Sequence, residues 1–354
     1  MKKLFYLIPL LAIVSCTKGN DGMDAVFTEP LTLSVDKDRI ESDGKQVATF
    51  IISDANGVVL TDNEELMSKI YFKNEATDRR LTRRTKTFRS VEDGEYTFSA
   101  TVSGKECANK VTITSSGRSR YEVFRKKVAV YRFTATWCQN CPAMTLGYER
   151  VSDWTKGRYV ELALHGAGSD FAFSDGSRYV ADYLYPRFNA PGFPSCVYDL
   201  DQMSETRAYD EIENIIFDRI ADAPATCGIR ASSSVADGKL SFSAKIKSST
   251  GGRYDIGFAV LRDNCAPGAG AYEEKYDNVV VALTGNYENL SNSAFDLAED
   301  GESAVSSNEV NLPEGAKIED YSVVVFALKQ NGEDVDIDNI VRFPAGGSVE
   351  YAYN

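Results

Sequence analysis

The stretch Val128 to Met144, VAVYRFTATWCQNCPAM, constrains this chain more than any other. A run of β-branched and aromatic residues, broken by one arginine, predicts a buried strand; a short turn follows, and Trp-Cys-x-x-Cys-Pro then opens a helix. Unpaired amide N–H groups and the dipole at a helix start favour a thiolate on the first sulfur, that of Cys138. Cys141, about one helical turn further on, is placed to close a disulfide with Cys138 or to resolve a mixed one. Zinc sites share the Cys-x-x-Cys spacing, so the spacing alone leaves both chemistries open.

A second stretch, Arg187 to Leu200, reads RFNAPGFPSCVYDL. Trp137 before the first thiol, the strand upstream, the helix after the thiols and this Gly-Phe-Pro downstream together resemble the thioredoxin superfamily. The resemblance implies a thioredoxin-like domain with an α/β sandwich fold. It implies Pro194 as a cis-proline ahead of a strand, Phe193 as the residue whose backbone pairs with an incoming peptide, and Trp137 as the surface beside Cys138. Gln139 and Asn140 lie between the thiols, without the imidazole of strongly oxidising relatives, which favours a mid-range or reducing potential.

Arg132 departs from that pattern. It stands six residues before Cys138, where thioredoxins place a buried acid. Pointing the same way, its charge would lower both thiol pKa values and leave no base beneath them; the alternative is a side chain that snorkels to solvent or pairs with a carboxylate. His165, the single histidine, ends the strand YVELAL at the edge where α/β sheets put their sites. It is either a general acid or base near the thiols or a structural residue. A zinc site from Cys138, Cys141, His165 and Cys196 would need the loops to converge. The preferred reading requires no metal and no cofactor.

The N-terminus reads as an export signal. Lys2 and Lys3 precede the apolar run Leu4 to Val14, too short to span a membrane as a helix, so residues 1–15 are expected to be a signal peptide. The run ends Ile13-Val14-Ser15-Cys16, which resembles the bacterial lipobox and implies Cys16 as a lipid anchor; an ordinary signal peptide is the alternative. Thr17, not aspartate, follows, so the outer membrane is the expected location, facing the periplasm or on the cell surface. A net charge of −13 argues against nucleic acid as a partner.

With Cys16 as the anchor and Cys138 and Cys141 as a pair, Cys107, Cys196, Cys227 and Cys265 remain. An oxidising compartment permits disulfides without choosing them. Cys196 with Cys227 is the favoured pairing, because one follows Pro194 and the other follows a helix that packs back on the sheet; free buried thiols are the alternative.

The domains follow from periodicity. After a tether over 16–29, residues 30–117 alternate apolar and polar positions between turns such as Ser42-Asp43-Gly44, which predicts an antiparallel sandwich resembling a bacterial immunoglobulin-like domain. Its cations Arg79, Arg80, Arg83, Arg84, Lys86 and Arg89 are either a patch for an anionic surface or a solvated edge strand. Residues 118–225 form the predicted α/β unit, with strands at Val128 to Phe133, Tyr159 to Leu164 and Ser195 to Tyr198. Helices are expected at Pro142 to Trp154, Arg178 to Phe188 and Glu205 to Ala221, the last with Tyr209, Ile212, Ile215, Ile216 and Ile220 on one face. Residues 226–354 return to alternation and predict a second β-sandwich, whose acidic loops are read as solvated turns and not Ca²⁺ sites. The expected architecture is therefore an α/β thioredoxin-like domain flanked by two all-β sandwich domains.

The lipobox, the Trp-Cys-x-x-Cys-Pro centre, the insertion before Gly-Phe-Pro and a β-rich C-terminal half with Tyr276-Asp-Asn-Val-Val-Val-Ala-Leu-Thr284 together resemble, from about Lys127 onward, the outer membrane protein 28 family of bacterial lipoproteins. Two functions follow as expectations. One is an exported thiol-disulfide oxidoreductase acting on envelope proteins or peptides, with an electron donor that the sequence does not name. The other is a surface binding lipoprotein in which the thiol-bearing part is a scaffold.

Overall fold

The computed structural model describes residues 27–81, 84–117, 124–172, 182–285, 290 and 294–354. The signal peptide, Cys16 and Arg83 lie outside these residues, as does the helix expected from Arg178 over its first part; residues 182–187 are helical.

The N-terminal unit is a β-sandwich. A three-stranded sheet (Thr32–Val35, Ala48–Ser53, Thr87–Phe88) faces a six-stranded one whose centre is Val111–Ser116, Gly94–Val102 and Ile70–Asn74. Alternate residues of each strand point inward, and Phe50, Phe72 and Phe98 meet between the sheets with ring centroids 4.5 and 5.0 Å from Phe50.

The remainder differs from the expected arrangement. Residues 118–225 do not close into a self-contained α/β sandwich between two separate all-β sandwiches. The predominant element is strand, and the strands of this segment belong to one nine-stranded sheet with those of the C-terminal segment. Its order runs Gln202–Ser204, Ser195–Tyr198, Val128–Thr134, Tyr159–His165, Val279–Leu283, Gly252–Arg262, Tyr321–Asn331, Asp334–Pro344, and Phe295–Leu297 pairs with Gly252–Arg262 off this path. Val128–Thr134 and Tyr159–His165 are parallel in seven-residue register, and the join to the C-terminal strands is a parallel pairing at Ala163 and Val279. The sheet then curls: the Ile337 amide donates to the Asp199 carbonyl at 3.0 Å, so the last long strand returns to the first edge. Tyr131, Leu162 and Val197 share one core cluster with Leu261, Phe326 and Ile337. A boundary at 225 would cut through that core.

The opposite face of the thiol-bearing strands is covered by helices Cys141–Arg150 and Tyr209–Asp222. Ile212, Ile216 and Ile220, four apart, are buried against Val128, Val130 and Tyr198, whereas Tyr209 is exposed and Ile215 half-buried. The helix expected from Pro142 to Trp154 stops at Arg150, and Asp153–Lys156 forms a separate turn capped by the Ser152 hydroxyl. The four-stranded sheet Ser306–Asn311, Lys239–Ser248, Cys227–Ala236, Ser348–Val349 packs on the C-terminal half of the large sheet.

Within the basic cluster Arg79–Arg80 form an edge strand of the six-stranded sheet, one of the two expected roles, and Arg79 and Arg89, with Lys45 from outside the cluster, also reach a neighbouring helix. Arg79 pairs with Glu213 at 3.2 Å, Arg89 pairs with Asp218 while stacking over Phe217, and Lys45 pairs with Asp222. These acids lie along helix Tyr209–Asp222, so the cations dock the N-terminal sandwich onto it. Gly44 allows the approach: its φ is +70°, and a Cβ there would lie 2.6 Å from that of Ala221.

Candidate functional site

Strand Val128–Thr134, buried throughout, delivers the chain into the thiol loop. The Cys138 amide donates to the Ala135 carbonyl at 3.1 Å, and the Thr136 amide to Ser169 Oγ at 3.1 Å, which ties the loop to the turn after the neighbouring strand. Cys138 and Cys141 are joined as a disulfide with Cα atoms 5.4 Å apart, and Cys141 is the first residue of the helix. Pro142 sits in the first turn, where amides lack intrahelical partners, and the Asn140 side chain makes no capping bond. The disulfide therefore lies at the N-terminal, positive end of the helix dipole. Both cysteines are buried, Cys138 with 5% exposure and Cys141 completely.

Trp137, 49% exposed, donates from Nε1 to the Ala167 carbonyl at 3.0 Å and stacks on Phe193, centroids 5.4 Å apart. Phe193 packs on the cluster of Ala135, Cys138 and Cys141, so the two stretches picked out in the sequence meet at the disulfide. The Phe193–Pro194 peptide is cis, and Pro194 is buried. Beside it opens a groove of about 440 Å³ between Pro191–Pro194 and Glu205–Glu211. The Cβ of any residue at 166 other than glycine would lie 2.3 Å from the Phe193 ring, so Gly166 is what lets Phe193 seat there.

Arg132 is buried on the helix side of the sheet and ion-paired with Glu161, the carboxylate partner left open as an alternative. Its Nη1 also donates to Thr145 Oγ1 at 3.2 Å. Burial opposes the guanidinium charge, but Glu161, with Cys196 and Glu273, outweighs burial and raises its pKa. Glu161 accepts in addition from Asn278 Nδ2 at 3.2 Å. The charge of Arg132 is thus compensated within the sheet instead of standing alone beneath the sulfurs.

His165 is 1% exposed, enclosed by Phe171 and Tyr276, with Nδ1 2.9 Å from Ser169 Oγ. Burial, then the Arg132 charge, push its pKa down to about 3, which leaves it neutral. Through Ser169 it braces the Thr136 amide of the thiol loop. The remaining cysteines correct the favoured pairing: Cys196 and Cys227 are free and buried, as is Cys265, and Cys107 is free and half-buried. Cys196 lies under Tyr148, whose hydroxyl donates to its Sγ at 3.3 Å, and burial pushes its thiol up to about 12. In this structure the disulfide engages two of the four groups named in the zinc alternative.

The residues that sequence reasoning missed are Thr145, Glu161, Glu273 and Asn278. Glu161 had a visible signal: one acid in YVELAL beside one base in VAVYRFT, opposite charges interrupting two apolar strands. Glu273 had none, since it reaches Thr145 from a loop 128 residues away.

No family model matches the sequence, and no curated protein matches it. Among solved structures, HBP35 of Porphyromonas gingivalis is similar at 21% identity with a TM-score of 0.51, over 63% of this chain and 76% of that one. Protein AGR_C_4864 from Agrobacterium tumefaciens gives 14% identity and a TM-score of 0.43, over 65% of this chain and 98% of that one. The first likeness is one of fold alone, and it accords with the strand-dominated architecture that replaces the expected α/β domain.

Proposed function

We propose that this protein is an exported thiol-disulfide oxidoreductase, anchored in the outer membrane through a lipid on Cys16, which uses Cys138 and Cys141 on envelope proteins or peptides. The observation that supports this most is the asymmetry of the disulfide. Cys138, next in sequence to the exposed Trp137, keeps 5% exposure, while Cys141, in the first turn of the helix, is fully buried. In the reduced protein, the Cys138 thiolate attacks a substrate disulfide and one substrate thiolate leaves; Cys141 then attacks Cys138 Sγ, the second substrate thiolate leaves, and the internal disulfide reforms. A dithiol donor must reduce it for the next turnover.

The test is insulin reduction and reactivation of scrambled ribonuclease with a small dithiol as donor. Wild type is expected to be active, Cys138→Ser inactive, and Cys141→Ser to accumulate a mixed disulfide at Cys138. Equal inertness of wild type and Cys138→Ser with every donor tried would refute the assignment and leave the surface-binding reading. Loss of incorporated fatty acid in Cys16→Ala tests the anchor separately.

A further inference from the structure

For Cys141 to attack, its thiol must first lose a proton, and the position beneath the motif holds Arg132, which cannot take one. Among the described residues two carboxylates are hydrogen-bonded to groups on this buried face. Glu161 is committed to Arg132 and Asn278. The other comes from the C-terminal segment: the loop between strands Gly252–Arg262 and Val279–Leu283 lies against the thiol loop, its Tyr272 amide donating to the Thr136 carbonyl at 3.2 Å. From this loop Glu273 Oε1 accepts from Thr145 Oγ1 at 3.1 Å, and the same hydroxyl lies 3.4 Å from the Cys141 carbonyl oxygen, one turn back along the helix.

Building on the oxidoreductase reading, we propose that Glu273 is the proton acceptor for Cys141, supplied across the sheet by the C-terminal segment in place of an acid on the strand before the thiols. In the mixed-disulfide state the Cys141 thiol gives its proton to the Glu273 carboxylate, which the Thr145 hydroxyl holds beside the first turn of the helix. The resulting thiolate attacks Cys138 Sγ, the bond from Cys138 to the substrate sulfur breaks, and the departing substrate thiolate takes up a proton, so two electrons pass from the protein dithiol to the substrate disulfide. The groups facing Glu273 are Arg132 and Glu161 from the strands, Thr145 and Glu149 from the helix, and Tyr276 from its own loop. Burial, the largest of these influences, raises its carboxyl pKa, which makes the carboxylate a better proton acceptor.

The experiment mixes fully reduced protein with substoichiometric dithiobis-nitrobenzoate and follows release of the coloured thiolate from pH 5 to 9. The first release reports attack by Cys138, and the second reports resolution by Cys141. In Glu273→Gln the first release is expected to be unchanged, while the second slows by about a hundredfold at neutral pH and rises with pH toward the ordinary thiol range of about 8.5. Glu273→Asp should recover part of the rate. Thr145→Val should slow the second release in the same direction, and it decides the matter if Glu273→Gln does not fold by circular dichroism. A wild-type second phase with an unchanged pH profile in the folded variants would overturn the role of Glu273. Absence of a first release that depends on Cys138 would instead sink the oxidoreductase reading itself.

Discussion

The Trp137 indole lies against the Phe193 ring, centroids 5.4 Å apart and planes inclined by 27°. The residue before Cys138 and the residue before Pro194 thereby form one surface, and that surface depends on the space left by Gly166. Gly166→Ala is expected to displace Phe193 and to cost about 1–3 kcal/mol of stability, the usual range for overpacking. It should also slow exchange at Cys138, because Phe193 packs on the disulfide. Urea melts and insulin-reduction rates on the one variant check both; wild-type values in both would show that Phe193 is free to move aside.

The protonation of His165 predicts a pH dependence. Its ordinary pKa of 6.5 falls to about 3 in the folded chain, so above 6.5 the residue is neutral in both states and has no effect. As pH drops from 6.5 toward 3, only the unfolded chain takes up the proton, and stability declines by at most about 1.4 kcal/mol per pH unit from this residue. His165→Gln should flatten that part of the stability profile, measured by denaturant melts at a series of pH values. An equally steep decline in the variant would assign it to other groups.

Docking of the N-terminal sandwich onto helix Tyr209–Asp222 rests on partly exposed ion pairs, with side-chain exposures of 36% and 45% for Arg89 and Asp218. A double-mutant cycle on this pair is expected to give a coupling of only about 0.5–1 kcal/mol. Salt should reduce it. Arg158 differs: it is buried, pairs with Glu92 at 2.7 Å and lies over Trp154, so Arg158→Met should cost several times more than Arg89→Met. Similar losses for the two variants would contradict the distinction.

Lys126 binds the curled sheet at its seam. Its Nζ lies 3.0 Å from Asp199 Oδ2 and donates to the Ile337 and Asp338 carbonyls at 3.0 and 2.7 Å, all away from water. Lys126→Met would leave Asp199 with the more distant Arg219, 3.6 Å away, and is expected to cost about 3–5 kcal/mol. Lys126→Met with Asp199→Asn should recover part of the loss. A thermal melt of the double variant no better than the single one would argue against the pair as the cause.

Thiol chemistry tests the cysteine assignment directly. Alkylation of the unfolded, unreduced chain should modify Cys107, Cys196, Cys227 and Cys265 and spare Cys138 and Cys141. In the folded protein Cys196 and Cys227 should be protected, with burial holding both thiols protonated. Peptide mass mapping reads both experiments, and a Cys196–Cys227 linked peptide would reverse the correction.

What could be read from the residues was local. The strand, turn and helix around Cys138 and Cys141 are contiguous, so propensity, proline placement and thiol spacing act within one short stretch, and the Ile212, Ile216 and Ile220 stripe identified its helix for the same reason. The partners of the strands were decided only in three dimensions. Period-two alternation states that a segment is a strand but not which strand it pairs with; a single parallel pairing, Ala163 with Val279, together with the return of Ile337 to Asp199, turned separate expected domains into one sheet. The destiny of charge was tertiary as well. Arg132 carries the same guanidinium in any fold, but only the adjoining strand brought Glu161 to neutralise it, and only a distant loop brought Glu273 beside Thr145, because Coulomb attraction and hydrogen bonding depend on separation in space and not along the chain.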